Sequence, residues 1–387
     1  MTKRQKQAKN ASAKFADIFS DESLAAASNT QTTSSNSEKI RAAVMLLIEE
    51  NLELLRVNER LRRKLRLVIY LSRLGRLLHF VKIALRLLHP VLHYLRPRLG
   101  KIDQHPPRDL SYDPNRNISI QLTRFPSIAI VIPSFQQGRF IQETIDSVIR
   151  QQYPNISLHV QDGGSQDETI SVLKKYESSV LSFDSRPDAG QANAINNGFK
   201  RVSGEIMAWL NSDDLLMPNS LNLVADFFNR NPNVDVVYGN RIVIDKNGQE
   251  IGLWLLPRHD VRVLPWVDFV PQETLFWRRS IWEKVGGNVD ESFKFAMDWD
   301  LILRFGEAGA SFRHLPNLVG AFRFHDEQKT TAIIESVGKS EMARLRLRSL
   351  GRVPTQREIR FKILPYILRH MGVDFVHRCK KILRRSA

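Results

Sequence analysis

The order of apolar and polar positions divides the chain into a helical N-terminal part and a central part of alternating strands and helices. From Ile40 to Val68, apolar residues recur at alternating spacings of four and three, which is the heptad pattern of a coiled coil. Asn51 and Asn58 fall at a positions, where a buried asparagine favours a parallel, in-register dimer. We therefore predict a homodimer through residues 40–68. The alternative is an amphipathic helix that packs on its own domain.

The central part begins with a continuous apolar run, Ser127–Ile132, typical of a strand buried on both faces. A helical pattern follows, then a second strand over residues 156–160 and a second helix. This order predicts an α/β fold with a largely parallel, mixed sheet sandwiched by helices. Ligands bind beyond the carboxyl ends of the strands in such folds. Three loops are expected to meet at that edge, namely residues 133–138, 162–165 and 211–214.

Composition sets the remaining boundaries along the 387 residues. The expected order is a disordered tail over 1–37, a heptad helix and basic amphipathic segment over 38–100, and a proline-marked linker over 101–124. A catalytic domain over 125–330 and a basic helical tail over 331–387 complete the chain. The single cysteine, Cys379, excludes an internal disulfide framework and indicates a reducing compartment.

The net charge of +16 is concentrated in two flanks. Residues 61–100 hold 10 Lys/Arg and no acid, and residues 341–387 hold 13 against 3, while the centre is slightly acidic. A nucleic-acid-binding domain would carry its charge on its own surface, so we expect no nucleic-acid partner. Basic, leucine-rich flanks favour an anionic membrane surface, and solvated basic helices are the alternative. Without an apolar run of about 18 residues, we expect a cytoplasmic protein held peripherally at the inner face of the membrane.

Two adjacent carboxylates, Asp213 and Asp214, end the apolar strand that runs from Ile206 to Leu210. Such carboxylates repel each other and are costly to bury unless a cation lies between them. Mg²⁺ or Mn²⁺ meets that need, because it takes carboxylate oxygens together with substrate phosphates. A solvated turn is the alternative, since Asn, Ser and Asp are common turn residues.

Four motifs occur in order along the central part and together resemble the family 2 inverting glycosyltransferases. They are Pro133–Phe135, Gln161–Ser165, Arg186–Gly198 and Trp209–Asp214. The resemblance covers about residues 125–330 and implies the GT-A fold. It also implies a nucleotide-diphosphate sugar as donor and a divalent metal as cofactor. The acceptor is then a hydroxyl of a glycan or lipid-linked molecule, in surface polysaccharide synthesis.

The resemblance also implies a role for each matching residue. Asp298 matches the general base, although Met297 stands where the family usually has Glu. Asp214 would be the main metal ligand, with Asp213 near the ribose and metal and His325 over the diphosphate or metal. The remaining residues would bind the nucleotide sugar: Pro133, Ser134 and Phe135 beside the base, Asp162 in contact with it, and Arg186 and Asp188 along the sugar pocket. A surface ion pair is the alternative for Arg186 and Asp188, and a surface histidine for His325.

This assignment predicts one base and one metal. Asp298 would accept the proton of the acceptor hydroxyl, and the metal would stabilise the departing diphosphate. The rival interpretation is a non-catalytic scaffold of the same fold that only binds sugars or partner chains at the membrane.

Overall fold

The computed structural model of the chain describes residues 58–62, 102–110, 120–176, 181–325 and 334–383. Residues 58–62 are helical. The predicted tail over 1–37 and the rest of the heptad and basic segment lie outside the described residues, so the predicted dimer remains a prediction. The chain divides into two units, Met1–Tyr94 and Leu95–Ala387, and the site described below lies in the second.

Nine strands and eight helices make up the described part of the second unit. The strands are β1 Ile128–Ser134, β2 Ile156–Asp162, β3 Leu181–Ser185, β4 Ile206–Trp209, β5 Leu215–Leu216, β6 Val236–Ile244, β7 Glu250–Trp254, β8 Phe276–Arg278 and β9 Phe312–Arg323. The helices are α1 Ile141–Ile149, α2 Thr169–Lys175, α3 Gln191–Phe199, α4 Ser220–Arg230, α5 Arg279–Lys284, α6 Met297–Glu307, α7 Lys339–Leu350 and α8 Gln356–Leu383. A 3₁₀ turn, Gln272–Thr274, and a π turn, Ile334–Gly338, complete the set.

The strands form one mixed sheet in the order β3-β2-β1-β4-β8-β6-β9-β5, with β7 paired to β6. Strands β1 to β4 are parallel, so their carboxyl ends meet at one edge. Strand β8 runs antiparallel to both β4 and β6, and β6 runs parallel to β9. The predicted α/β fold with a largely parallel, mixed sheet is confirmed. The first strand extends to Ser134, two residues beyond the predicted run.

Helices cover both faces of the sheet, and alternate residues of β1 supply both cores. Ala129 and Val131 point into the core beneath α3 and α6, while Ile130 points into the core beneath α1 and α4. This two-sided burial explains why the strand is a continuous apolar run rather than an alternating one.

The two C-terminal helices pack on the domain. Leu345 of α7 and Tyr366 of α8 belong to the same core as α6, although residues 331–387 were expected to form a basic tail. Most of their Lys and Arg residues are exposed, and net charge cannot reveal the apolar inner face. Among the described residues, none of the helices is both long enough and apolar enough to cross a membrane.

Candidate active site

A cavity of about 580 Å³ lies beyond the carboxyl ends of β1 and β4, where the sequence predicts ligand binding. Four of its wall residues come from the end of β1 and the loop after it, and four from the loop after β4. Helix α6 closes the opposite side. The cavity brings together eight predicted site residues: Pro133, Ser134, Phe135, Asp188, Asp213, Asp214, Asp298 and His325.

Three wall residues have a buried polar atom that makes no hydrogen bond within the described part of the chain. These atoms are Ser134 Oγ, Gln137 Oε1 and Gln272 Oε1. Leaving such a group without a partner costs about 1–3 kcal/mol, and nearly all buried polar groups in proteins have one. Three of them around one cavity indicate that a polar ligand or ordered water completes their hydrogen bonds.

Asp162 is buried and its carboxylate organises the loop after β2. It accepts hydrogen bonds from the backbone N–H groups of Gly164 and Ser165, at 3.0 and 2.8 Å, and from the Ser165 and Ser185 hydroxyls, at 2.6 Å each. These four donors match the capacity of a carboxylate. Asp162 is not among the cavity-lining residues, and its predicted contact with a base stays a prediction.

Arg186 also lies outside the cavity wall. Its guanidinium donates to Asp184 at 2.8 Å and its side chain is 56% exposed. Asp188 does line the cavity, and it accepts a hydrogen bond from the Gly190 N–H at 2.7 Å just before α3. A Cβ at Gly163 would lie 3.1 Å from the Asp188 carboxylate, so glycine lets the loop after β2 approach this acid closely.

The tandem aspartates at the end of β4 lie beside the end of β9, because β5 pairs with β9 immediately after them. Asp214 is buried and accepts hydrogen bonds from the Arg323 N–H at 3.0 Å and from the Asn211 amide at 3.3 Å. Burial raises the pKa of Asp214 well above its usual value, and the charges of Asp213 and Glu273 raise it further. This carboxylate is therefore held at a net electrostatic cost that a nearby cation would relieve.

Asp213 is more open than Asp214 and faces His325. Its Oδ2 lies 3.1 Å from Nε2 of His325, whose ring packs on Phe140 with centroids 4.7 Å apart. The guanidinium of Arg323 donates to the Asp213 carbonyl at 2.9 Å, which fixes the backbone of the pair. Arg323, at the end of β9, and His325, just after it, therefore contact the two aspartates although they lie about 110 positions later in the sequence.

These residues suit a metal that arrives with its substrate. Among the described residues, no group of three His, Cys, Asp or Glu side chains is arranged to hold a metal ion. Mg²⁺ and related ions are commonly bound by one or two carboxylates together with substrate phosphates, not by a complete protein cage. The Asp213 carboxylate and the His325 imidazole provide two ligands for such an ion. The buried Asp214 carboxylate lies next to them and adds negative charge.

Asp298 lies in the first turn of α6 and lines the opposite side of the cavity. Its Oδ1 accepts one hydrogen bond, from the Trp299 N–H at 2.8 Å. Burial raises its pKa, and the nearby charge of Glu273 acts in the same direction, while Arg241 opposes it. A partly exposed carboxylate with raised pKa, facing a cavity, can accept a proton from a bound hydroxyl.

The sequence did not reveal a residue that shapes the approach to Asp298. Glu341 of α7 is buried, and its carboxylate accepts hydrogen bonds from the N–H groups of Lys294, Phe295 and Ala296 at 2.8, 2.9 and 2.9 Å. These three groups precede α6, so Glu341 fixes the segment that carries Asp298. Glu341 lies in a basic stretch more than 40 positions from these groups, so no local sequence pattern indicates the contact.

Comparisons with known proteins agree with this geometry. Residues 129–288 match the family model described as Glycosyl transferase family 2. An uncharacterized glycosyltransferase of Rickettsia typhi is 28% identical over 228 residues, which cover 57% of this chain and 71% of the relative. The chondroitin synthase of Escherichia coli is 24% identical over 258 residues, or 66% of this chain, but only 34% of that enzyme is matched.

A solved structure shows the same fold. The crystal structure of residues 1–349 of Staphylococcus aureus TarS, in complex with UDP-GlcNAc, superposes with a TM-score of 0.50 at 17% identity. The match covers 64% of this chain and 73% of that one. Asp298 and His325 lie beyond the segment matched by the family model, so their place in the site rests on the geometry described above. The chain therefore contains a glycosyltransferase family 2 domain with the GT-A fold.

Proposed function

We propose that the chain is a metal-dependent, inverting glycosyltransferase that moves a sugar from a nucleotide-diphosphate sugar to a hydroxyl of a glycan or lipid-linked acceptor. One observation carries this proposal. A single cavity places the Asp213, Asp214 and His325 group on one wall and Asp298 on another, with three unpartnered polar atoms around it. Such an arrangement suits a ligand with an anionic end and a reacting centre between the two walls.

The nucleotide would enter beside the end of β1. Phe135 is 61% exposed although it is a large apolar residue, and it borders the cavity together with Pro133. An exposed aromatic face at a cavity edge can stack on a flat heteroaromatic base. The Ser134 hydroxyl, buried without a partner within the described residues, would hydrogen-bond to the base or ribose.

The diphosphate would lie against the tandem aspartates. Asp213 and His325 would contact the metal directly, and Asp214 would either join them or support them with its charge. A divalent cation bound here would neutralise the charge that develops on the leaving diphosphate. The cation at this wall would thus stabilise the leaving diphosphate, which would need no acid to protonate it.

Asp298 would act as the general base on the acceptor side. The acceptor hydroxyl would give its proton to the Asp298 carboxylate as its oxygen bonds to the anomeric carbon. The bond from that carbon to the diphosphate would break on the opposite face, which inverts the anomeric centre. General-base assistance of this kind contributes roughly 10²–10⁴-fold to a rate.

We propose further that the protein works at the inner face of a membrane. The outer face of α8 exposes large apolar residues, among them Phe361 at 74% and Leu383 at 70%. Exposed Arg357, Arg360 and Lys362 lie on the same helix, a pattern suited to an anionic lipid surface.

A turnover assay with matched binding data tests the proposal. The full chain is incubated with a panel of nucleotide-diphosphate sugars and Mn²⁺, and both release of the nucleoside diphosphate and thermal protection are measured. We expect one donor to protect the protein and to be consumed. Asp298→Asn should still be protected but not consume the donor. Protection by no donor would contradict the proposal, and undiminished turnover in Asp298→Asn would contradict the assigned base.

A further inference from the structure

A second cavity, of about 210 Å³, lies between α8 and the sheet, next to the segment that follows β7. Its walls are mainly apolar and include Trp254, Leu256, Val267, Phe269, Ile363 and Ile367. Pockets for whole small-molecule ligands usually measure about 300–1,000 Å³. A cavity of this size therefore suits one apolar part of a larger molecule.

Two polar atoms in this apolar wall are buried without a hydrogen-bond partner among the described residues. They are Tyr366 Oη and His370 Nδ1, one turn apart on α8. Tyr366 is only 5% exposed. Burial lowers the pKa of His370, so its ring is neutral near pH 7 and can donate or accept a hydrogen bond. An apolar cavity with two unsatisfied polar atoms matches a ligand that has an apolar body and a hydroxyl-bearing end.

The cavity adjoins the candidate active site along the chain. Asp268 and Phe269 line it, and Gln272, four residues further on, lines the larger cavity. Because an extended chain spans at most about 3.3–3.6 Å per residue, the two walls are no more than roughly 14 Å apart. Arg241 lies between them on the sheet, since its guanidinium is 5.2 Å from the Trp254 ring of the smaller cavity and 4.7 Å from the Phe322 ring of the larger one.

We propose that this second cavity holds the apolar chain of a lipid-linked acceptor, with the sugar at the end of that chain presented to Asp298. The inference rests on the proposed function and narrows its acceptor from a glycan or lipid-linked molecule to the lipid-linked class. Tyr366 and His370 would hydrogen-bond to hydroxyls of the acceptor head.

The surroundings favour a lipid over a protein segment as the occupant. Helix α8 forms one wall of this cavity. Its exposed apolar residues form a stripe from Phe361 to Leu383 that includes Leu364, Leu368 and Phe375. A helix that lies on a lipid surface with this stripe would bring the cavity on its inner side close to that surface. Helix α8 then carries both the apolar surface and the basic charge that would contact an anionic lipid surface.

Alkyl glycosides of different chain length test the proposal on the full chain. Octyl and methyl β-D-glucopyranoside carry the same head, and each buried methylene adds roughly fourfold to affinity. We expect the octyl compound, below its micelle concentration, to bind at least about tenfold more tightly by calorimetric titration. Equal binding of the two compounds would contradict the proposal.

Two neighbouring residues distinguish the cavity from the outer surface of α8. Ile367→Trp fills the cavity and should abolish octyl glucoside binding, while Leu368→Gln, on the exposed face, should leave it intact. The opposite pattern would assign the binding to the helix surface and overturn the inference. A photo-crosslinker placed at Ile367 that captures residues 1–101 of this chain, or a second copy, would overturn it as well.

Tyr366→Phe gives a readout that a purely structural role would not produce. Removal of a buried hydroxyl without a partner should raise the melting temperature of the free protein, yet weaken octyl glucoside binding roughly two- to tenfold. Tyr153→Phe is the matched control, because the Tyr153 hydroxyl donates to the Pro126 carbonyl at 2.8 Å. That variant should lower the melting temperature and leave binding unchanged.

The proposed function has a separate readout. Protection by a nucleotide sugar and Mn²⁺ should persist in Ile367→Trp, since that residue lies outside the larger cavity. Loss of glycoside binding with retained nucleotide protection in the wild-type chain would refute only the acceptor inference.

Discussion

Asp298 and Asp300 lie in the same turn of α6, yet their surroundings differ completely. Asp300 is fully buried and pairs with two arginines, Arg304 at 2.9 Å and Arg348 at 2.5 Å. Asp298 faces the larger cavity with one backbone hydrogen bond, no ion pair within the described residues, and a raised pKa. The first carboxylate holds α7 against α6, and the second is left available to a ligand.

Within one helix, the contrast separates a carboxylate that holds two helices together from one that is available to a ligand. A carboxylate that is fully paired cannot take a proton without a large loss of stability. A carboxylate that is poorly paired costs stability but can act on a substrate.

The largest expected effect is on turnover in Asp298→Asn. If this carboxylate accepts the acceptor proton, kcat should fall by about 10²–10⁴-fold. The melting temperature should not fall, because the amide keeps the shape of the side chain and removes a buried charge. Steady-state kinetics and thermal unfolding measure both quantities, and a variant that unfolds instead would assign Asp298 a structural role.

Asp300→Asn should show the reverse behaviour. The substitution leaves two arginines without their partner, and we expect a loss of about 2–3 kcal/mol in the free energy of unfolding. This is below the usual cost of breaking a buried pair, because Arg348 is 37% exposed and can be hydrated. Denaturant titration measures the loss. The folded fraction should retain kcat, and a selective loss of kcat would break the comparison.

A second contrast is between Asp213, on the opposite wall of the cavity, and His159, which lies outside it. If Asp213 binds the metal as proposed, Asp213→Asn should raise the Mn²⁺ concentration needed for half-maximal turnover by about tenfold or more, because it would remove a charged ligand. His159→Gln is a control within the same sheet, since His159 is buried on β2 and bonds to Ser182 at 2.9 Å, away from the cavity. A metal titration that is unchanged in Asp213→Asn would remove this residue from the metal wall.

Glu341 should affect kcat through the position of Asp298. Loss of its three hydrogen bonds in Glu341→Ala should lower kcat roughly tenfold and leave the KM for the donor unchanged, because the donor wall is formed by other loops. Glu341→Gln keeps one acceptor oxygen and should recover part of the loss. Equal falls in both variants, together with a raised donor KM, would indicate general disorder of the domain.

The smallest effect concerns Asp268, whose pKa is raised well above its usual value by burial and then by the charge of Asp298. Asp268 is nevertheless exposed to solvent at the rim of the smaller cavity, so water screens much of this effect and the expected change in stability is small. A raised carboxylate pKa means that the folded state binds the proton more tightly, so stability falls as pH rises through that window. Asp268→Asn should therefore raise the melting temperature at pH 7.5, with the gain absent near pH 3.5. A gain of equal size at both pH values would contradict this explanation.

The sequence was sufficient to predict the parts of the fold that depend on local pattern. Strand β1 is a continuous apolar run because both of its faces are buried, and the tandem aspartates fall where β4 meets the cavity. From β-α order alone, three loops were expected at one edge. Residues from all three line the cavity, although Asp162 itself is turned into its loop.

The remaining features depend on contacts between distant positions. His325 reaches Asp213 only because β9 pairs with both β5 and β6, and no sequence pattern in residues 312–325 predicts that pairing. The basic composition of residues 331–387 predicts a tail. Composition does not show that α7 and α8 also have an apolar inner face that packs on the domain. The second cavity exists only because α8 folds back on the sheet.

A crystal soaked with Mn²⁺ and a protective nucleotide-diphosphate sugar gives the most direct test of the metal wall. We predict an anomalous manganese peak within coordination distance of Asp213 and His325, bridged to the diphosphate, with the sugar directed toward Asp298. A bound nucleotide with no manganese at these side chains, or a sugar that points away from α6, would contradict the proposed chemistry.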